Sequence, residues 1–243
     1  MGYIKKRVRK TKATDPDEFV SLYQRTLDWT EDNLKLVLFA GGAILLAVIV
    51  AFGLMWSRGN RDRAAGKALD IAVATYQSLA LGDETSDIGK VKDGLSQSLK
   101  SFREVSSRYP RTVQGNSATL YASNILFRMG SFNEAAATLE DLISHEPEFS
   151  RKLQASYLLG RVYEGAGNYK KAISVYSGLL ESSGVEMRPV LMMDRARCFK
   201  LEGDRDQAAD TYRNVVQDFA DSVYGRKAKA ELAILGESTE ESH

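Results

Sequence analysis

The sequence predicts an all-α fold: a single N-terminal transmembrane helix, then an α-solenoid of about four helix pairs closed by a capping helix. Three observations carry that expectation. Proline is scarce, 4 in 243 residues, roughly a third of an average usage of about 5%, so long stretches lack helix breakers. Leu36 to Trp56 is a run of 21 residues without a charge. Most of the remainder repeats one pattern of glycine, alanine and aromatic residues.

Composition excludes several function classes. Lys and Arg number 33 against 32 Asp and Glu, a net charge of +1, which gives no nucleic-acid footprint. The single cysteine, Cys198, excludes an internal disulfide or Cys-cluster metal site and reads as a small buried hydrophobe. His145 and His243 are the only histidines, too few and too far apart for a paired-His zinc site on one helix face. No G-x-S-x-G elbow occurs, and Gly66-Lys67-Ala68 lacks the spacing and hydroxyl of a phosphate loop. No enzyme activity and no cofactor are expected.

From the N-terminus, residues 1–14 read as a basic tail led by Lys5, Lys6, Arg7, Arg9, Lys10 and Lys12. Residues 15–33 read as an amphipathic juxtamembrane helix. Asp15 sits at the N-cap, Pro16 at the first helical position, and Phe19, Leu22, Tyr23 and Leu27 on one face. Residues 34–57 form the expected signal anchor, whose uncharged run at about 1.5 Å per residue crosses a hydrocarbon core of roughly 30 Å. Trp29 and Trp56 stand near its ends, where amphipathic rings suit the interface. Arg58, Arg61 and Arg63 follow the span closely. The larger N-terminal cluster, and the ease with which long downstream domains cross, place the N-terminus in the cytoplasm.

Residues 61–235 form the repeat array. Leu126-x3-Gly130-Ser-Phe132-x2-Ala135-x3-Leu139 is matched by Tyr163-x3-Gly167-Asn-Tyr169-x2-Ala172-x3-Tyr176. The third copy is Phe199-x3-Gly203-Asp-Arg205-x2-Ala208-x3-Tyr212. Small residues precede at equal offset: Ser123, Gly160 and Ala196. The glycines end the first helix of each pair in a left-handed conformation, and the small residues let antiparallel helices approach. An earlier, degenerate copy runs from about Arg61 to Leu81, through a loop Gly82–Gly89, to Phe102-x2-Val105-x4-Pro110. Ser222 to Leu235 reads as a capping helix with an apolar row at Val223, Ala230 and Ile234, and residues 236–243 as a polar tail. Pro110 and Pro147 close repeats, and Pro189 opens the last.

These landmarks resemble the tetratricopeptide repeat (TPR) family. The resemblance implies stacked helix–turn–helix units whose first helices line a groove. Equal repeat positions then form rows: Leu120, Tyr157 and Met193; Asn124, Arg161 and Arg197; Phe127, Glu164 and Lys200, with Arg128 beside them. As candidate partner-binding residues, Leu120, Asn124, Arg128, Tyr157, Arg161, Met193, Arg197 and Lys200 make a surface of apolar patches and cationic donors. It suits an extended or acidic peptide segment. The competing reading pairs these arginines with Glu164, Asp194 or Glu202 on a solvated face.

The layout of basic N-terminus, one anchor and four repeats also resembles the YfgM-like single-pass inner-membrane proteins. That resemblance implies a periplasmic repeat domain and an ancillary role at the Sec translocon. The implied partners are proteins: translocon subunits, periplasmic chaperones or client polypeptides. Membrane lipid would contact residues 36–56. An envelope scaffold for division or wall-assembly proteins, and a cytoplasm-facing TPR receptor, are the alternatives.

Overall fold

The computed structural model describes residues 29–30, 32–80, 88–145, 151–182 and 184–236. The expected basic tail, residues 15–28 of the expected juxtamembrane helix, Pro147 and residues 237–243 lie outside them. The chain divides into two compact units, Met1–Gly59 and Asn60–His243.

Helix α1 (Leu34–Ala80) supplies most of the described part of the first unit, and its residues from 60 on are counted with the second. Among the described residues it is the one helix long and apolar enough to cross a membrane, and none of its apolar window is buried. Phe39, Phe52 and Met55 are 84%, 71% and 73% exposed, so the run is not a buried core helix. The helix runs without a break through residues 57–61, between the expected end of the anchor and the expected start of the repeats. One helical glycine there, Gly59, costs about 1 kcal/mol relative to alanine and, without proline, does not stop a helix.

In the second unit, residues 60–80 of α1 are followed by α2 (Ile88–Arg108), α3 (Val113–Arg128), α4 (Phe132–His145), α5 (Lys152–Gly165), α6 (Tyr169–Ser182), α7 (Arg188–Glu202), α8 (Arg205–Asp218) and α9 (Val223–Leu235). From α2 onward each helix packs on the next. Ile88 and Gly89, expected at the end of the loop, belong to α2; residues 82–87 of that loop lie outside the described residues. The α1 segment joins through Ala65 and Ala72, both buried, and through Tyr76, whose ring meets Phe102 edge-on at 6.1 Å. Arg61 donates to the Pro110 carbonyl at 3.5 Å.

The turns inside the repeats are one device used three times. Gly130, Gly167 and Gly203 have φ of 75°, 74° and 95°, a region where a Cβ is penalised. In each, the glycine N–H and the next N–H return to the carbonyls of the ending helix: Gly130 to Phe127 and Ser131 to Leu126, Gly167 to Glu164 and Asn168 to Tyr163, Gly203 to Lys200 and Asp204 to Phe199. That is a Schellman closure. In two copies the residue after glycine also caps the following helix: the Asn168 carboxamide accepts from the Lys171 N–H, and the Asp204 carboxylate from the Gln207 N–H.

A second device links units. Tyr109-x2-Thr112-x2-Gly115 and Phe219-x2-Ser222-x2-Gly225 share geometry that the sequence reading passes over. Each hydroxyl accepts from the glycine N–H at 3.0 Å and donates to the aromatic residue's carbonyl, at 2.8 Å for Thr112 and 2.7 Å for Ser222. A Cβ on Gly115 would lie 2.0 Å from the Tyr109 carbonyl oxygen, and one on Gly225 2.3 Å from that of Phe219.

Between these turns the landmark positions fill the core. Ala135, Ala172, Ala208, Leu139, Tyr176, Ser123 and Ala196 are fully buried. Two clusters share α7: Leu191 and Cys198 face the preceding repeats, and Met192 and Ala196 face α8 and α9. The capping helix differs from expectation. Gly225, Ala228, Leu232 and Leu235 are buried, whereas Val223 and Ile234 are 52% and 71% exposed and Ala230 is exposed. Both rows have helical spacing. The close approach at Gly225, with the bulk of Leu232 and Leu235, selects the one that packs.

At Gly160 the small residue has a specific reason: a Cβ there would lie 2.6 Å from Cε1 of Tyr176, a ring with no exposed surface. Gly178, on exposed α6 backbone, has open space around it. Gly160→Leu is therefore expected to destabilise the repeat unit by about 1–3 kcal/mol, and Gly178→Ala to stabilise it by about 0.5–1 kcal/mol. Urea denaturation followed by circular dichroism reads both signs.

Candidate functional site

The first helices of successive pairs carry a groove of about 360 Å³ lined by Tyr76, Leu120, Tyr121, Asn124, Arg151, Gln154, Tyr157, Leu158 and Arg161. Leu120 and Leu158, nearly covered by their neighbours, form an apolar floor. The tyrosines add rings with polar ends, and Asn124 and Gln154 bring amides that make no hydrogen bond to the described protein. No carboxylate lines the groove among the described residues.

Its arginines sit over aromatic rings. The Arg161 guanidinium lies 4.9 Å from the Phe127 ring centroid, and that of Arg151 5.9 Å from that of Tyr121. Just outside the lining, Arg128 donates to the Tyr76 hydroxyl at 2.6 Å and lies over that ring at 5.9 Å. Such stacking favours a cation at a ring face.

Beside the groove, one arginine is held between two carboxylates. Arg197 donates through Nε to Glu164 at 2.5 Å and through Nη2 to the other Glu164 oxygen at 2.8 Å, and Nη2 lies 2.7 Å from Asp194. Tyr157 donates to the second Asp194 oxygen at 2.8 Å, and Tyr176 donates to Glu164 at 3.3 Å. Helices α5, α6 and α7 are thereby tied together. The hydrogen bonds to Glu164 hold the Arg197 proton more firmly than usual, against its partial burial. Burial, and then the bond to Asp194, push the Tyr157 hydroxyl up to about 12. Burial likewise raises Tyr176.

Of the eight candidate residues, the structure brings Leu120, Asn124, Tyr157 and Arg161 into the groove and leaves four outside its lining. Arg197 joins the network. Lys200 pairs with Glu231 at 2.5 Å. Met193 is half-buried against the core of the last repeat, and Arg128 holds Tyr76. The competing reading therefore describes Arg197 but not Arg161, which makes no ion pair among the described residues. Glu202 pairs with Lys170 instead. Arg151, Tyr121, Gln154 and Tyr76 complete the groove, and row alignment misses them all. Arg151 precedes the first turn of its helix, Tyr121 is one position off its row, and Tyr76 belongs to the degenerate copy.

Cys198 is buried. Burial, then the Glu164 charge, push its thiol up from 9.0 to about 12, with Arg197 opposing. The neutral thiol is thus favoured in the folded state. Its contribution to stability is fully present below the ordinary value near 9 and is lost as pH rises towards 12. At about pH 8, a thiol reagent such as Ellman's is expected to react at least a hundredfold more slowly with the native chain than with the denatured one. Comparable rates would show that the α5–α7 packing opens freely.

Residues 122–185 match a tetratricopeptide repeat family model, and residues 191–222 match a second. Among solved structures, a Podosopora anserina kinesin light chain protein with nearly identical TPR-like repeats superposes with a TM-score of 0.55 at 14% identity, covering 72% of this chain and 86% of that one. A substituted form of that protein gives 0.45 at 13% identity, covering 72% and 95%. No curated protein matches the sequence. At such identity the first likeness speaks for the fold. Repeats of this kind generally serve as non-catalytic scaffolds that bind protein partners. The chain carries tetratricopeptide repeats, and its helical array is a TPR-like α-solenoid, a protein–protein interaction module.

Proposed function

We propose that this chain is a non-enzymatic, membrane-anchored adaptor. Residues 36–56 span a bacterial inner membrane, the N-terminus lies in the cytoplasm, and the repeat unit lies in the periplasm beside the Sec translocon. There it holds chaperones or emerging polypeptides. The observation that carries the binding role is the groove: apolar floor, three tyrosines and two ring-stacked arginines without a described carboxylate. Support for anchoring comes from the apolar side chains along α1, which protein does not cover. Burying that much apolar surface in lipid is favourable at roughly 25 cal/mol per Å². The translocon assignment rests on the layout shared with YfgM-like proteins.

Two measurements on one strain test this. With the outer membrane opened, external protease is expected to digest the repeat unit while a cytoplasmic control survives; full protection of the repeat unit, with a periplasmic control digested, would contradict export. A photocrosslinking amino acid at Arg161 is expected to give adducts with translocon or chaperone proteins, and one at exposed Ala137 on α4 is not. Adducts with division or wall-assembly proteins would favour the scaffold instead.

A further inference from the structure

We propose that a polar cleft between α6, α7 and α8 binds a phosphate group, held by Arg195 and Arg188. The cleft has a volume of about 500 Å³ and shares no lining residue with the groove. Small-molecule sites commonly span roughly 300–1,000 Å³.

The placement of Arg195 is the first argument. It stands four residues before Phe199, as Ala122 does before Leu126 and Leu159 before Tyr163. Ala122 and Leu159 are buried apolar side chains. An arginine in such a slot gives up hydration and needs acceptors in return. It finds few. Nη1 lies 3.5 Å from the Ser177 hydroxyl, the far limit of a hydrogen bond, and the buried Nε has no acceptor among the described residues. Arg61, Arg128 and Arg205 also lack an acidic partner among the described residues, but they are exposed, and water serves their remaining donors.

Charge is the second. Arg188 stands two turns before Arg195 on the same side of α7. Burial, and then the Arg188 charge, loosen the hold of Arg195 on its proton, and no carboxylate counters either effect. Glu181 and Asp218 border the same cleft, but both are exposed, and neither forms an ion pair with either guanidinium among the described residues.

Donor chemistry is the third, and it names the ligand. Arg188 gives one Nη1 bond to the Leu180 carbonyl at 3.3 Å, which leaves its other donors for a ligand. A guanidinium is a planar fork that matches phosphate oxygens in pairs. The Asn214 amide and the Ser177 hydroxyl border the same space. Two forks and two neutral donors exceed what the two oxygens of a carboxylate can accept, and they suit phosphate. A phosphate here supplies the acceptor that Nε lacks and sets negative charge beside both guanidinium groups. Glu181 and Asp218 repel a polyphosphate, so the occupant is a single phosphate group, free or esterified to a small molecule or lipid.

The test is thermal unfolding of the full chain in non-ionic detergent, followed by circular dichroism at constant ionic strength. Replacing chloride by about 10 mM phosphate is expected to raise Tm by about 3–5 °C, as a ligand with a Kd of about 1 mM would. Arg195→Leu places there the side chain that the preceding copy carries. It should be at least as stable as the parent chain in chloride and lose the response to phosphate. The general salting effect of phosphate acts on both chains alike, so their difference reads the site. Asp218→Asn should enlarge the response, and Arg161→Met in the groove should leave it unchanged. A larger response to glycerol 3-phosphate than to phosphate would identify an ester, and one confined to mixed micelles with phosphatidylglycerol a lipid headgroup. An equal shift in the parent and Arg195→Leu chains would overturn the proposal, as would no shift with any of the three ligands.

Discussion

Arg197 is the one cation paired with two carboxylates that sit, partly buried, at the joint between the third repeat and the last. Glu164 and Asp194 are only 17% and 10% exposed at their side chains, and a carboxylate in such a place needs a cation and hydrogen bonds to stay ionised. The positive charge of the groove itself comes from Arg151 and Arg161 in its lining. Tyr157 and Tyr176 satisfy carboxylate oxygens without adding charge, so the two acids and Arg197 together leave one negative charge beside the two positive charges of Arg151 and Arg161. Packing and binding surface thus share one set of charges, divided by which arginine has a partner inside the fold.

That division depends on close helix approach. Gly160 lets the Tyr176 ring lie against α5, which carries its hydroxyl to Glu164, and Tyr157 reaches Asp194 across the same contact. The left-handed glycines set the angle at which each second helix returns. They do so with the residue following them, which closes one helix and in two copies caps the next. A short Gly-polar pair therefore fixes the geometry on which a network some distance away depends.

Much of this was legible in the sequence because it is local. A positive φ demands glycine, a buried helix crossing demands a small residue, and both recur at a fixed period. The groove was only half legible. Leu120, Asn124, Tyr157 and Arg161 occupy equivalent repeat positions, so alignment found them. Arg151 and Tyr76 lie where the repeat ends or decays, and no period points to them. The fate of Arg197 was open for another reason: Glu164 lies 33 residues away, and only the stacking of α5 on α7 decides whether the two meet. In α9 two rows had equal helical spacing, and the choice between them was made by a glycine pressed against the Phe219 carbonyl. The hydroxyl-and-glycine turns between units were visible in the letters, but two copies far apart gave no period to notice.

The most direct test of the account compares Arg197→Met with Arg161→Met by urea denaturation. Arg197→Met strands Glu164 and Asp194 without a cation. The guanidinium is 42% exposed, so the loss expected is about 2 kcal/mol, below the 3–5 kcal/mol of a fully buried pair. Arg161→Met should stay within about 0.5 kcal/mol of the parent chain. Equal losses, or a larger loss at Arg161, would contradict the claim that one arginine holds the fold and the other is free to bind.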